Sequence, residues 1–254
     1  MQIKHLQCNT YLLNNPQAVA DYIVNQNIDV ACLQEVVIKE DEADRLKAYV
    51  EEHGYEYRYG MHLFNEVNRL SEGVAIVSKY PIIESYIIYH NGENENPKSI
   101  GSEDVFGKQL VGYDPQNFHP ASRAMTYKVL PTAILAATIA FEDSRYLRII
   151  NTHFPVSDFC SEIPPMYDIA AKVTSLVKYG NNIPTIFSGD LNIRAKSYSV
   201  ELLQTVMTCH STEFDDTLAS HHKAKIRGNV EKLAIDHIFS TGLEYKGTKV
   251  DEVD

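Results

Sequence analysis

The run Ile183-Pro184-Thr185-Ile186-Phe187, followed by Ser188-Gly189-Asp190-Leu191-Asn192, constrains the fold of this chain more than any other stretch. An uncharged apolar run of this length, bounded by a glycine, reads as a strand buried inside a layered fold. Gly189 is expected to break the strand at its C-terminal end, leaving Asp190 and Asn192 two positions apart. Along an extended chain, positions i and i+2 share a face, so carboxylate and carboxamide are expected to reach one small polar object. Taken alone, Gly-Asp-x-Asn is also an ordinary turn or helix N-cap.

Four other apolar runs end in the same way. Ile3 to Cys8 leads to Asn9, and Ile28 to Leu33 leads to Gln34-Glu35. Leu147 to Ile150 leads to Asn151-Thr152-His153, and Leu233-Ala234-Ile235 leads to Asp236-His237. Each polar group by itself is what strand ends commonly carry to satisfy hydrogen bonds. Strands that deliver Asn, Glu, His, Asp-x-Asn and Asp to their ends together make a constellation suited to a hard divalent cation and a phosphate.

Between these runs, helices and hairpins are expected. Pro16 to Gln26 reads as an amphipathic helix with proline in its first turn. Glu40 to His53 is a second, closed by Gly54, with Ala43, Leu46, Tyr49 and Val50 on one face. Strands are expected over Gly73–Ser78, Ile82–Tyr89, Ala124–Leu130, Ala133–Phe141 and Tyr146–Asn151, with a hairpin turn at Glu142 to Arg145. Met166–Tyr179 and Ser197–Thr208 complete the helices, and Lys246–Val253 reads as the start of another strand. Strands and helices that alternate in pieces, with hairpins between, call for mixed parallel and antiparallel pairing. The expectation is an α/β fold, a four-layer αββα sandwich of two mixed β-sheets flanked by helices. The segment from His90 to Ser122, rich in Asn, Gly, Glu, Pro and Ser, reads as a long irregular loop, either a substrate-facing insertion or a mobile surface loop.

At 254 residues the chain is expected to form a single domain over residues 1–254. The N-terminus has no apolar run followed by a small-residue cleavage site, so no signal peptide is expected, and no run approaches a membrane span. Cys8, Cys32, Cys160 and Cys209 are scattered without a Cys-x-x-Cys pair and read as structural thiols in a reducing cytoplasm. With 23 Lys and Arg against 34 Asp and Glu, the net charge is −11, and no three basic residues occur in a row. Proteins that grip long duplexes neutralise phosphates with basic patches, so general DNA binding is disfavoured. A monomer is expected.

In order along the chain, Asn9, Leu33-Gln34-Glu35, Glu72-Gly73-Val74-Ala75-Ile76-Val77-Ser78, Asn151-Thr152-His153, Gly189-Asp190-Leu191-Asn192 and Ile235-Asp236-His237-Ile238-Phe239 resemble the ordered motifs of the endonuclease/exonuclease/phosphatase superfamily. That group includes deoxyribonucleases, apurinic endonucleases, neutral sphingomyelinases, inositol 5-phosphatases, deadenylases and tyrosyl-DNA phosphodiesterases. The resemblance implies a metal-dependent phosphoester hydrolase acting on a small-molecule, lipid-headgroup or nucleic-acid-end substrate. A DNA or RNA nuclease is the alternative, and a catalytically inactive binding protein that kept the fold is a third reading.

The resemblance also implies roles. Glu35 would bind Mg²⁺ directly, with Mn²⁺ or Ca²⁺ possible in its place, and Asn9 would contact the metal or the phosphate. Asp190 would orient or deprotonate the attacking water, and Asn192 would hold a non-bridging oxygen. His153 would donate to the phosphoryl group while Glu72 fixes its tautomer. Arg123, by its place beside the long loop and apart from the resemblance, is expected to bind substrate. Two departures stand out. Tyr11 occupies a position where apurinic endonucleases carry an Asp. Asp236-His237 matches the penultimate motif, whose Asp orients a terminal His, so the C-terminal Ser-Asp-His motif and last strand are expected to be missing from the 254 residues. His237 is expected to point away from Asp236 and not to replace the lost His, so the 254-residue chain is expected to be poorly active; full turnover would mean that another residue, such as His119 or His210, does the missing work.

Overall fold

The computed structural model describes residues 2–13, 15–39, 44–65, 69–90, 99–100, 132–157, 160–180, 182–217 and 233–251. Among the described residues, eleven strands fall in two sheets. The first sheet takes the order β1-β2-β4-β3-β6, from β1 (His5–Asn9), β2 (Val30–Lys39), β4 (Leu70–Ser78), β3 (Glu56–Asn65) and β6 (Ser99–Ile100). The second takes the order β10-β11-β9-β8-β7-β5, from β10 (Thr208–Cys209), β11 (Asp236–Thr241), β9 (Thr185–Asp190), β8 (Tyr146–His153), β7 (Thr132–Ala140) and β5 (Ile82–His90). β1 with β2, β8 with β9, and β3 with β6 pair in parallel, and every other pair is antiparallel. Both sheets are therefore mixed, as the alternation of runs predicts.

Alternation along the central strands sorts three apolar layers. Val30, Cys32, Val74 and Ile76 of the first sheet meet Ala133, Leu135, Ile139, Leu147, Ile149 and Ile186 of the second. Their neighbours Ala31, Leu33, Ala75 and Val77 face outward onto α1 (Pro16–Asn25) and α2 (Arg45–Glu52), through Ala20, Ile23, Leu46 and Val50. Ile134, Ala136, Ile150 and Phe187 pack instead on α3 (Pro164–Lys178) and α4 (Tyr198–Gln204). Strands covered on both faces have no polar side to show, which is why they read as unbroken apolar runs. The result is the αββα sandwich.

The helices begin where side-chain oxygens replace missing backbone partners. Asn15 accepts from the Ala18 N–H, Asp44 from Lys47 and Ser197 from Val200. Asp44 thus sets the start of α2 at Arg45, later than the expected Glu40, and residues 40–43 lie outside the described ones. α4 stops at Gln204 because Thr208 and Cys209 leave to pair with Ser240 and Phe239 of β11. β3 was not foreseen as a strand. Of the expected strand at Lys246–Val253, the described residues Lys246 to Asp251 carry no regular structure, and the remainder lies outside the described residues. The expected strand at Ala124–Leu130 and nearly all of the His90–Ser122 loop lie outside the described residues. None of the four cysteines is in a disulfide, and burial pushes the Cys8 and Cys32 thiols up to about 12, as suits structural residues. Among the described residues, no helix is long and apolar enough to cross a membrane.

Candidate active site

One rim of the sandwich collects the polar strand ends. β1 and β2 run parallel, as do β8 and β9, so Asn9, His153 and Asp190 leave their strands at this rim. Antiparallel β11 enters where β9 exits, with Asp236 opposite Asp190. Asp236 therefore opens a strand instead of ending one, yet reaches the same place.

Asn9 joins the two sheets. Its single amide nitrogen donates to Glu35 Oε1 at 2.9 Å and to Asp190 Oδ2 at 3.0 Å. Glu35 does not stand at a strand end as expected. β2 continues to Lys39, and Gln34 and Glu35 form a bulge between the pairs Leu33–Ala75 and Val36–Gly73. With φ at 54°, Glu35 holds a left-handed conformation that few side chains accept without compensation. The compensation is local: the Leu12 N–H donates to Glu35 Oε2 at 3.1 Å, and Thr10 Oγ1 donates to the Glu35 carbonyl.

The Asp190-x-Asn192 pair is a turn and not an extended segment. β9 ends at Asp190, Asn192 has φ at 50°, and its N–H donates to Asp190 Oδ1 at 2.9 Å. Both groups still meet the site, because the turn carries Asn192 Nδ2 to 3.0 Å from His153 Nε2. The other hydrogen of that amide goes to the Phe154 carbonyl at 3.0 Å. A donor nitrogen facing Nε2 leaves His153 as the acceptor, with its proton on Nδ1. Asn192 thus orients His153 here. Gly189 lies within β9 and does not break it; a Cβ there would stand 2.1 Å from the Thr152 carbonyl oxygen, so β8 could not lie as close.

Glu72 meets a histidine that sequence reasoning missed. Its Oε1 lies 3.6 Å from His62 Nε2, whose ring centroid is 6.4 Å from that of His153. Glu72 reaches His153 through charge. Asp236 accepts from Gln7 Nε2 at 2.9 Å and Thr217 Oγ1 at 2.6 Å, two further residues that its motif did not announce. His237 turns the other way, as expected, with Ser211 Oγ at 3.0 Å and the Ile193 carbonyl at 2.8 Å. His210 is occupied by Ser240 and stacks on Tyr245, so it does not take part. Arg123 and His119 lie outside the described residues.

Burial sets the electrostatics. It raises Glu35 above the usual carboxylate range, with the charges of Glu72 and Asp190 adding and those of His153 opposing. Asp190 is likewise raised by burial, against the hydrogen bonds from Asn9 and Asn192. Asp236 is raised by burial and by the charge of Asp190. Burial also pushes Glu72 up, but His62 and His153 outweigh it and hold the carboxylate below its ordinary value. His153 is lowered by burial despite Glu35 and Glu72. Among the described residues, no three His, Cys, Asp or Glu side chains are gathered to hold a metal. The groups that do meet are two carboxylates and an amide, hard oxygen donors that suit a cation which keeps much of its water shell, as Mg²⁺ does. Crowded carboxylates that resist ionisation together are also what a bound cation relieves.

The sequence matches the Endonuclease/Exonuclease/phosphatase family over residues 6–253. No curated protein matches it. Among solved structures, an endonuclease/exonuclease/phosphatase protein from Beutenbergia cavernae superposes with a TM-score of 0.61 at 14% identity, over 93% of this chain and 63% of that one. A β-hairpin deletion mutant of beta toxin from Staphylococcus aureus gives 0.61 at 18% identity, over 100% and 93%. The mannosyl-6-phosphatase of Bacteroides thetaiotaomicron gives 0.57 at 14% identity, over 94% and 85%. At such identities these likenesses carry the fold, while the sequence match spans nearly the whole chain and all the rim residues. The chain belongs to the endonuclease/exonuclease/phosphatase family, whose members are phosphoester hydrolases or nucleases.

Proposed function

We propose that this protein is a Mg²⁺-dependent phosphoester hydrolase acting on a compact substrate, a small-molecule phosphoester, a lipid headgroup or a nucleic-acid end. The observation that carries the reading is the Asn9 amide, which holds Glu35 of one sheet and Asp190 of the other around one point. Glu35 and Asn9 would hold the cation, which when bound neutralises charge on the phosphoryl oxygens and favours ionisation of water. Asp190, fixed by Asn9 and by the Asn192 N–H, orients the attacking water and takes its proton. His153, once protonated, releases the Asn192 amide, and both then donate to phosphoryl oxygens. Asp236, held by Gln7 and Thr217 opposite Asp190, raises the proton affinity of its neighbour when ionised and so favours its basic role. The net charge of −11 supports a compact substrate over an extended duplex. The mannosyl-6-phosphatase named among the structural likenesses supports a phosphate on a small molecule.

The test is a panel of phosphomonoesters and diesters assayed with Mg²⁺ and again with chelator, alongside calorimetric Mg²⁺ titrations of two variants. Glu35→Gln is expected to weaken Mg²⁺ binding tenfold or more, because it removes formal charge from a direct ligand. Asp190→Asn should leave Mg²⁺ affinity within a few-fold while lowering kcat by about 10²–10⁴, the range for a lost general base. Equal losses of Mg²⁺ affinity would reject this division of labour. No chelator-sensitive turnover on any phosphoester would reject the hydrolase reading.

A further inference from the structure

β4 reaches the site between two irregularities. On one side, β2 spends Gln34 and Glu35 opposite the single residue Val74. On the other, β3 carries His62 as an extra residue, since Met61 pairs with Gly73 and Leu63 with Glu72. A bulge frees one residue from the ladder and re-aims its side chain, and bulges gather beside active sites. The first delivers Glu35 to the rim. The second delivers His62, and Gly73 permits it: a Cβ at Gly73 would lie 2.2 Å from the Gly60 carbonyl oxygen.

The His62 side chain is only 13% exposed, and its Nε2 faces Glu72 Oε1 at 3.6 Å. Its ring stands edge-on to that of His153, at 63°. Nδ1 is buried and has no partner. Of the unpartnered buried side-chain atoms among the described residues, it is the one that belongs to this cluster of carboxylates. Buried nitrogen without a partner is costly, and at a polar rim the economical explanation is a ligand atom that completes it. A carboxylate at Nε2 keeps a proton on that nitrogen, and in the imidazolium form that Glu72 and an arriving anion stabilise together both nitrogens donate, Nε2 towards Glu72 and Nδ1 towards the anion.

We propose that His62 is a substrate-binding residue of this site, held by Glu72 at Nε2 and donating from Nδ1 to a phosphoryl oxygen beside His153. The inference rests on the phosphoester reading and adds a second imidazole to it. The cluster then has a division of work that explains Glu72: its carboxylate orients His62 by contact and supports His153 by charge.

The test separates the two nitrogens. Inorganic phosphate is titrated calorimetrically, with Mg²⁺ present, into the wild type and into His62→Ala, His62→Asn and His62→Gln, each checked for folding by circular dichroism. Asn places an N–H near the position of Nδ1, whereas Gln reaches the position of Nε2 and Glu72. His62→Ala is expected to weaken phosphate binding at least tenfold, with His62→Asn recovering much of the loss and His62→Gln little. In turnover assays the same order should appear in KM. Wild-type affinity in His62→Ala overturns the proposal, as does any result in which Asn fails to exceed Gln. A wild type that binds no phosphate overturns it too. A wild type that binds phosphate through His62 but hydrolyses no phosphoester rejects the hydrolase reading and leaves this inference standing.

Discussion

At the residue scale, burial opposes charge throughout the site, and each ionisable group is settled by the neighbour that answers it. Glu35 and Asp190 share one amide, and Glu72 is held ionised between two imidazoles. His5, beneath the rim, has a neighbour that cannot answer a charge. Its Nε2 meets Ser188 Oγ at 2.9 Å, and burial pushes its pKa down to about 4 from 6.5. In the unfolded chain His5 takes up a proton near its ordinary value, whereas in the folded protein it resists until about pH 4. Its contribution to stability is thus complete above about pH 6.5 and lost as the pH falls from there towards 4. The raised carboxylates Asp190 and Asp236 have the opposite sign, since the folded state holds their protons more tightly and gains stability on acidification. His5→Gln keeps a polar group for Ser188 without titrating. Denaturant unfolding at several pH values should show the wild type losing stability relative to His5→Gln between pH 6.5 and 4. A constant difference would mean that His5 titrates alike in the folded and unfolded protein.

At the scale of elements, the site is made by interruptions of regular pairing. The paired bulges in β2 and β3 bracket β4 at Gly73, and the close approach of β3 leaves no room for a side chain there. Gly73→Ala forces backbone apart and not merely a flexible side chain. It is expected to destabilise the fold by about 2 kcal/mol or more, in the upper range for overpacking. It should also weaken Mg²⁺ and phosphate binding together, because both Glu35 and His62 depend on this register. Thermal melting and the two titrations would check it, and an unshifted melting temperature would contradict the close packing. The starts of α1 and α4 were readable because a capping side chain, Asn15 or Ser197, lies within a few residues of the group that it satisfies, whereas α2 begins after Asp44 and not at the expected Glu40. Bulges were not readable, since the extra residue is defined only by the partner strand. The run Tyr55-Glu56-Tyr57-Arg58-Tyr59 alternates as a strand should, with Tyr55, Tyr57 and Tyr59 turned to one core, and this period of two was the available signal for β3. Without β3, His62 had no context.

At the scale of the whole molecule, two sheets must hold their relative position for a site shared between them to exist. Asn151 makes that tie. Buried between the sheets, it donates from Nδ2 to the Leu33 and Ala75 carbonyls, at 2.9 and 2.8 Å, and accepts from Gln34 Nε2 at 2.7 Å. Gln34 in turn accepts from Gln7, which also holds Asp236, so a chain of amides runs under the rim from one sheet to the other. Asn151→Ala strands two carbonyls and an amide in the interior and should cost about 2–4 kcal/mol, as one or two buried unsatisfied groups do. It should also lower turnover without Asn151 touching substrate, and unfolding measured beside kinetics would show both. A stable but inactive variant would instead place Asn151 in the chemistry. Apolar periodicity and the order of the polar strand ends pointed, in the local sequence, to the layered sandwich and to Asn9, Glu35, His153, Asp190, Asn192 and Asp236 as candidate site residues, and the family resemblance added Glu72. Those signals work because strand period, helix caps and motif spacing are set by residues close together in the chain. Only the tertiary structure decided that Glu35 sits in a bulge, that Glu72 faces His62, that Asp236 is held by Gln7 and Thr217, and that one asparagine amide joins carboxylates from both sheets. Each of these depends on which strand lies beside which, and that is a property of long-range packing that no stretch of the chain carries by itself.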